Sequence, residues 1–202
     1  MATSSATASS PLLFFKRFLN NPREVGALCP STRHLAAAMV RGLELDEGEV
    51  VLEYGVGSGA FTPTIAAVVG KVPGARYLGI EREPGFCEVL RERFPGLSFA
   101  NAQVEAVEQL LGEHRLSPPR AILSGLPLIL LPSMADIVET AERVLVPGGE
   151  FRTFSYLQSY PTPQAARLRR LMKQTFASFS MSRLVLRNFP PAFVLRGVKA
   201  GG

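Results

Sequence analysis

No apolar run in this chain reaches the roughly 20 residues that a helix needs to cross a bilayer, so no spanning helix is expected. Cysteine is scarce. Cys29 and Cys87 sit in unrelated contexts with no metal-ligand spacing, and read as reduced thiols of a cytosolic protein. No metal site and no internal repeat is visible. A signal peptide would place positive charge before its apolar stretch, whereas Lys16 and Arg17 follow the first apolar residues. Acids are scarce at both ends. Residues 1–41 hold five Lys or Arg and one acid, and residues 143–202 hold ten and one; between them stand seven bases and fifteen acids. A doubly wound fold can bring two basic ends over one face, and such a face attracts nucleic acid or anionic lipid.

What is present is one domain's worth of core: 202 residues, 47% of them apolar. Residues 50–62 organise it. Val50, Val51 and Leu52 form an apolar run like that of a buried parallel strand. Gly55, Gly57 and Gly59 follow at alternate positions, and an apolar pattern with helical spacing resumes at Phe61. Strand, glycine turn and helix open a nucleotide-binding βαβ unit. The spacing is Gly-x-Gly-x-Gly, not the Gly-x-Gly-x-x-Gly of a pyrophosphate site, and Glu53 stands two residues ahead of it. A carboxylate there repels phosphate and suits a cation. S-adenosylmethionine has an ammonium, a sulfonium and no phosphate. A second strand is expected over residues 76–80. Glu81 ends it, 22 residues after Gly59, where an acid grips ribose hydroxyls in such folds.

Residues 53–62 resemble motif I of the class I S-adenosylmethionine-dependent methyltransferases. Residues 21–31, motif I, residues 124–128 and residues 188–192, in that order, resemble the small bacterial phospholipid N-methyltransferases. The resemblance implies an α/β Rossmann-like fold: a seven-stranded, mostly parallel sheet with helices on both faces and the last strand antiparallel. It assigns cofactor contacts to Glu53, Tyr54, Gly55, Gly57, Ser58, Gly59, Glu81, Arg82, Asn101, Ala102 and Ser124. The family usually has aspartate where Asn101 stands; the carbonyl oxygen of Asn101 can still accept from the adenine amino group.

Along the chain, residues 1–10 read as a disordered tail. Residues 11–41 read as an N-terminal amphipathic helix and lid, and residues 42–202 as the methyltransferase domain. Pro11 can begin a helix whose Phe14, Phe15 and Phe18 stand beside Lys16 and Arg17, a composition suited to the headgroup region of a bilayer. The alternative is a helix packed on the protein itself. A further helix is expected from residue 30, with His34 near its start. At the fourth strand end, Ser124-Gly125-Leu126-Pro127 stands where related amino-group methyltransferases carry an Asn-Pro-Pro-Tyr type of motif. Gly125 replaces the Asn and Leu128 the Tyr, which argues against a stacked nucleobase. These departures leave an open, carbonyl-lined slot of Gly125, Leu126 and Pro127. Tyr156 and Tyr160 are expected on a loop, where their faces can hold an ammonium. The closing antiparallel pair is expected over residues 183–186 and 192–198.

Methyl transfer from a sulfonium needs orientation and exclusion of water, with no metal or covalent nucleophile. The acceptor amine must lose a proton; burial can depress its pKa, and His34, Tyr156 and Tyr160 are candidate bases. The reading favoured by the resemblance is N-methylation of phosphatidylethanolamine and its mono- and dimethyl forms by a monomer, on the inner face of the cell membrane, without nucleic acid or metal. The alternatives are a ribosomal RNA adenine dimethyltransferase and a non-catalytic cofactor-binding protein.

Overall fold

Apolar runs bounded by glycine and proline become strands, and the 3.6-residue patterns between them become helices. The structure is a computed structural model that describes residues 30–202. The expected tail and amphipathic helix, with Phe14, Phe15, Lys16, Arg17 and Phe18, lie outside the described residues.

The strands are β1 (Val50–Tyr54), β2 (Arg76–Glu81), β3 (Ser98–Asn101), β4 (Ala121–Ser124), β5 (Glu150–Tyr156), β6 (Ser178–Met181) and β7 (Ala192–Val198). The helices are α1 (Pro30–Val40), α2 (Thr62–Val69), α3 (Pro84–Arg93), α4 (Val107–Glu113), α5 (Met134–Val144) and α6 (Pro163–Thr175). Prolines open α2, α3 and α6 at the turn whose N–H groups need no partner. Thr162 caps α6, its Oγ1 accepting from the Ala165 N–H at 3.2 Å.

The strands form one sheet in the order β3-β2-β1-β4-β5-β7-β6. Only β7 runs against the rest, pairing antiparallel with β5 and β6. The expected seven-stranded, mostly parallel sheet is therefore present. Chain order reverses between β1 and β4, so the crevice at their carboxyl ends is where a ligand fits in such a sheet.

Strand alternation divides the core in two. Val50, Leu52 and Tyr54 face Ile137, Val138, Leu168 and Met172 of α5 and α6. Val51 faces the other way, toward Leu35 and Met39 of α1, Ile65 of α2 and Leu90 of α3. On that second face Arg152 lies buried in a network. Its guanidinium forks onto both carboxylate oxygens of Glu150, at 2.9 and 3.0 Å, and donates to the carbonyls of Met39 and Arg41 at 2.7 and 2.9 Å. One cation thus satisfies a buried acid and the orphan carbonyls at the end of α1. Arg196 adds a second hydrogen bond to Glu150. Burial opposes ionisation of Glu150, but the hydrogen bonds and charges of the two arginines outweigh it and hold its pKa below the usual carboxylate value.

Two expected boundaries shift. The edge strand is residues 178–181, while segment 183–186 contributes only a bridge between Val185 and Ala192. Phe176 explains the change. Its ring stacks parallel to Phe151 at 6.0 Å and lies over Gly197, where a Cβ would approach to 2.3 Å. The chain leaving Phe176 is thereby delivered directly onto β7. Tyr156 is the last residue of β5 and not a loop residue.

Candidate active site

The turn after β1 is shaped by its glycines. Gly55, Gly57 and Gly59 all have positive φ, of 67°, 56° and 79°, a backbone region that costs other residues roughly 1–2 kcal/mol. A Cβ on Gly57 would meet nothing within 4 Å, so the space above this backbone is open. Glu81, from the adjacent strand, braces the turn: its Oε2 accepts from the Gly57 N–H at 2.8 Å and its Oε1 from the Glu83 N–H at 2.9 Å. Each oxygen keeps a further lone pair for a ligand.

Glu53 lies beneath the turn. It is 1% exposed, and its Oε2 accepts from the Tyr77 hydroxyl at 2.6 Å and the Thr62 hydroxyl at 2.9 Å. Burial pushes its pKa up to about 7, against the lowering effect of those two hydrogen bonds. The carboxylate expected to meet a cation is thus an internal brace as well. Sequence reasoning missed both partners. Gly79, opposite Glu53 in the register, makes room for Tyr77, since a Cβ there would come within 2.7 Å of the phenol oxygen. The pattern Tyr77-Leu78-Gly79, with the tyrosine and the glycine on one face of a strand, was the available signal.

At the end of β3, the Asn101 side-chain nitrogen donates to the carbonyls of Glu81 and Arg82 at 3.0 and 2.9 Å. The amide nitrogen is thereby spent, and Oδ1 is the atom left to accept. Ala102 donates its N–H to the Glu81 carbonyl, and the Ser58 carbonyl accepts from Arg93. Arg82 is exposed beside Glu83. Tyr54 departs from expectation: its side chain is 1% exposed within the core and its hydroxyl has no partner there, so only its carbonyl, which accepts from the Gly125 N–H at 2.8 Å, serves the crevice. Ser124 is fully buried, its Oγ accepting from the Leu126 N–H at 3.3 Å.

The expected open slot at β4 is also corrected. A Cβ on Gly125 would stand 2.8 Å from the Gly55 carbonyl oxygen, and one on Gly55 would stand 2.3 Å from Leu126 Cδ2. The space left by the small residue is filled by the neighbouring turn. Leu128 is 2% exposed and belongs to the core, so no side chain at that position stacks on a ligand.

The structure separates the two candidate tyrosines. Tyr156 lies on the α1 face with Phe154 at 5.3 Å, and Phe154 meets Phe61 edge-on at 5.8 Å. Burial raises the Tyr156 pKa. His34 is half-buried on α1. Tyr160 packs instead on Phe193 at 5.7 Å, and the Arg169 guanidinium covers its ring at 4.0 Å. One face of its ring is thus already occupied by a cation. Among the described residues no cluster of His, Cys, Asp and Glu could hold a metal.

A family model described as protein-L-isoaspartate(D-aspartate) O-methyltransferase matches residues 13–176. The chain belongs to that family of S-adenosylmethionine-dependent methyltransferases. It is similar over almost its full length to the ornithine lipid N-methyltransferase of Singulisphaera acidiphila, with 30% identity over 194 residues, 93% of this chain and 96% of the relative. It is similar over a shorter stretch to protein-L-isoaspartate O-methyltransferase 1 of Archaeoglobus fulgidus, with 30% identity over 129 residues, 63% of this chain and 58% of the relative. Among solved structures, Aeropyrum pernix fibrillarin with natively bound S-adenosyl-L-methionine shares the fold, with a TM-score of 0.61 and 19% identity over 84% of this chain and 76% of that one.

The methyltransferase crevice fits a phosphate-free, cationic nucleoside. It offers the Glu81 carboxylate and the Asn101 amide oxygen as acceptors and bare backbone at Gly57, with open space above the glycine. Glu81 and Asn101 would hold the nucleoside, and the turn over Glu53 the amino-acid end. S-adenosylmethionine supplies a methyl group on a positively charged sulfur, and the chain's part is to orient and desolvate the acceptor.

Proposed function

We propose that this methyltransferase N-methylates the primary amine of a membrane-lipid headgroup. Phosphatidylethanolamine and its mono- and dimethyl forms are the acceptors, leading towards phosphatidylcholine. The observation that carries the reading is the near full-length similarity to an ornithine lipid N-methyltransferase, where the isoaspartate relative matches little more than half its length. The site agrees with it. Phe61, Phe154 and Tyr156 form an edge-to-face aromatic cluster on the α1 side of the sheet, and aromatic rings of this kind suit an ammonium and lower an amine's pKa. Burial of Leu128 leaves no stacking platform for a base at that position.

The enzyme works as a monomer bound peripherally to the inner face of the cell membrane. Among the described residues no helix is long and apolar enough to cross a bilayer. A second acceptor is favoured by the relative's name: the free amine of an ornithine lipid presents the same chemistry on a different headgroup.

The test is thin-layer separation of products after incubation with methyl-labelled S-adenosylmethionine. Vesicles containing phosphatidylethanolamine or ornithine lipid are offered in parallel with an isoaspartyl peptide and ribosomal RNA. Label in methylated phosphatidylethanolamine supports the proposal, and label in ornithine lipid alone selects the second acceptor. Base-labile ester on the peptide, or label in RNA with none in lipid, overturns both.

A further inference from the structure

Beyond the crevice, the connection between β6 and β7 presents apolar side chains to solvent. Phe189 is 79% exposed and Leu186 72%, more than any other large apolar side chain among the described residues. The loop's own hydrogen bonds fix this exposure. The Asn188 side chain is buried and donates to the Pro190 carbonyl at 2.6 Å, and the Asn188 N–H reaches the Val185 carbonyl at 3.2 Å. Ser182 Oγ accepts from the Val194 N–H at 2.9 Å, and the Val185 N–H reaches the Ala192 carbonyl at 2.8 Å. Several backbone groups of the connection are thus partnered within it, while the Leu186 and Phe189 side chains stand exposed.

The surrounding charge names the partner. Arg183 and Arg187 flank the tip, are exposed, and pair with no carboxylate among the described residues. Residues 151–202 contain no Asp or Glu at all. A second copy docked on the same face by two-fold symmetry would bring these cations against their own kind. Phe189 could stack on a base, but the equally prominent Leu186 presents an aliphatic side chain that stacking does not use. An anionic lipid surface satisfies both halves, taking the arginines at its headgroups and the two side chains beneath them.

We infer that Leu186 and Phe189 form a wedge that enters an anionic phospholipid bilayer, with Arg183 and Arg187 at the headgroup level. The inference rests on the lipid reading and adds a contact separate from the N-terminal segment. The Pro191 carbonyl accepts from the Leu157 N–H at 2.8 Å, one residue beyond Tyr156. Insertion of the tip therefore brings the acceptor end of β5 to the membrane.

The chain has no tryptophan, so a single indole reports one position. The full-length Phe189→Trp protein is mixed with phosphatidylglycerol–phosphatidylethanolamine vesicles carrying brominated acyl chains, with Val89→Trp, on α3, as the control. The wedge predicts a blue shift and quenching for Phe189→Trp and neither for Val89→Trp. It also predicts that Leu186→Asp with Phe189→Asp weakens vesicle partition by at least about tenfold, with thermal midpoint and S-adenosylmethionine affinity unchanged. An unquenched indole at position 189, on a protein whose wild type sediments with the same vesicles, overturns the wedge. So does emission already blue-shifted before vesicles are added, which would mean that the protein covers the tip itself. Quenching without any lipid methylation by the wild type, on vesicles or detergent-dispersed lipid, supports the wedge and rejects the catalytic reading instead.

Discussion

A side chain on Gly125 would begin 2.8 Å from the carbonyl oxygen of Gly55. The two glycines stand just past the ends of β1 and β4, which pair in register with Tyr54 opposite Ser124. The cofactor turn and the acceptor turn therefore touch backbone to backbone. Gly125→Ala is expected to destabilise the fold by about 1–3 kcal/mol, as overpacking against a rigid neighbour does. It should also weaken S-adenosylmethionine, because the Gly55 turn must move. Without cofactor, Gly57→Ala faces open space and should cost only its positive φ, about 1 kcal/mol, while its Cβ would stand in the space assigned to the cofactor. Thermal denaturation of both variants with and without cofactor separates crowding from conformational strain.

Glu81 joins two loops through one carboxylate, taking the Gly57 and Glu83 N–H groups on separate oxygens. In Glu81→Gln one oxygen becomes an N–H₂ that faces a backbone donor. One of the two loops must then lose its partner. A hydrogen bond to a charged group contributes about 1.5–3 kcal/mol, so the dissociation constant for S-adenosylmethionine should rise at least about tenfold. Titration calorimetry checks this. Unchanged affinity would mean that the turn keeps its shape without the brace.

Glu53 makes stability depend on pH in an unusual direction. Its folded pKa is about 7 and its ordinary value 4.5. Between those values the folded state binds more protons than the unfolded state, so stability falls as pH rises through the interval and levels off above about 7. The full effect is about 3 kcal/mol. Glu53→Gln keeps an oxygen for Tyr77 and Thr62 and cannot ionise. Its denaturation midpoint should match the wild type near pH 5 and equal or exceed it at pH 8. A wild-type profile that rises across this interval would refute the assignment.

The elements that build the crevice were legible because local signals agreed. The apolar Val50–Leu52 run, the three alternate glycines and the acid at Glu81 all follow from strand and turn chemistry. What was hidden depends on contacts far apart in the chain. Nothing in Thr62 or Tyr77 alone marks them as partners of Glu53; the parallel register of β1 and β2 does. Tyr54 sits in a cofactor motif yet belongs to the core, because strand alternation carries its side chain away from the crevice. The edge strand was misplaced because the stack of Phe176 on Phe151, not local propensity, decides where the chain rejoins the sheet. Glu150-x-Arg152 did carry a readable sign, since residues two apart on a strand share a face.

That pair sets the last expectation. Arg152 holds Glu150 and, through the Met39 and Arg41 carbonyls, the end of α1. Arg152→Met leaves a buried carboxylate with Arg196 alone and strands two helix-terminal carbonyls. Removing one partner of a buried pair typically costs about 3–5 kcal/mol. Arg152→Lys should recover little, because an ammonium cannot fork onto both carboxylate oxygens and reach the helix end as well. Because Glu150 is held below its ordinary pKa, its contribution is present above the unfolded value and disappears as pH falls through the folded one. The wild type should therefore lose stability on the acid side more steeply than Arg152→Met. Denaturant titrations over that range give both slopes, and hydrogen exchange at residues 35–41 shows whether α1 loosens first. Parallel acid slopes with α1 as protected as in the wild type would mean that apolar packing of Leu35 and Met39 alone holds the helix.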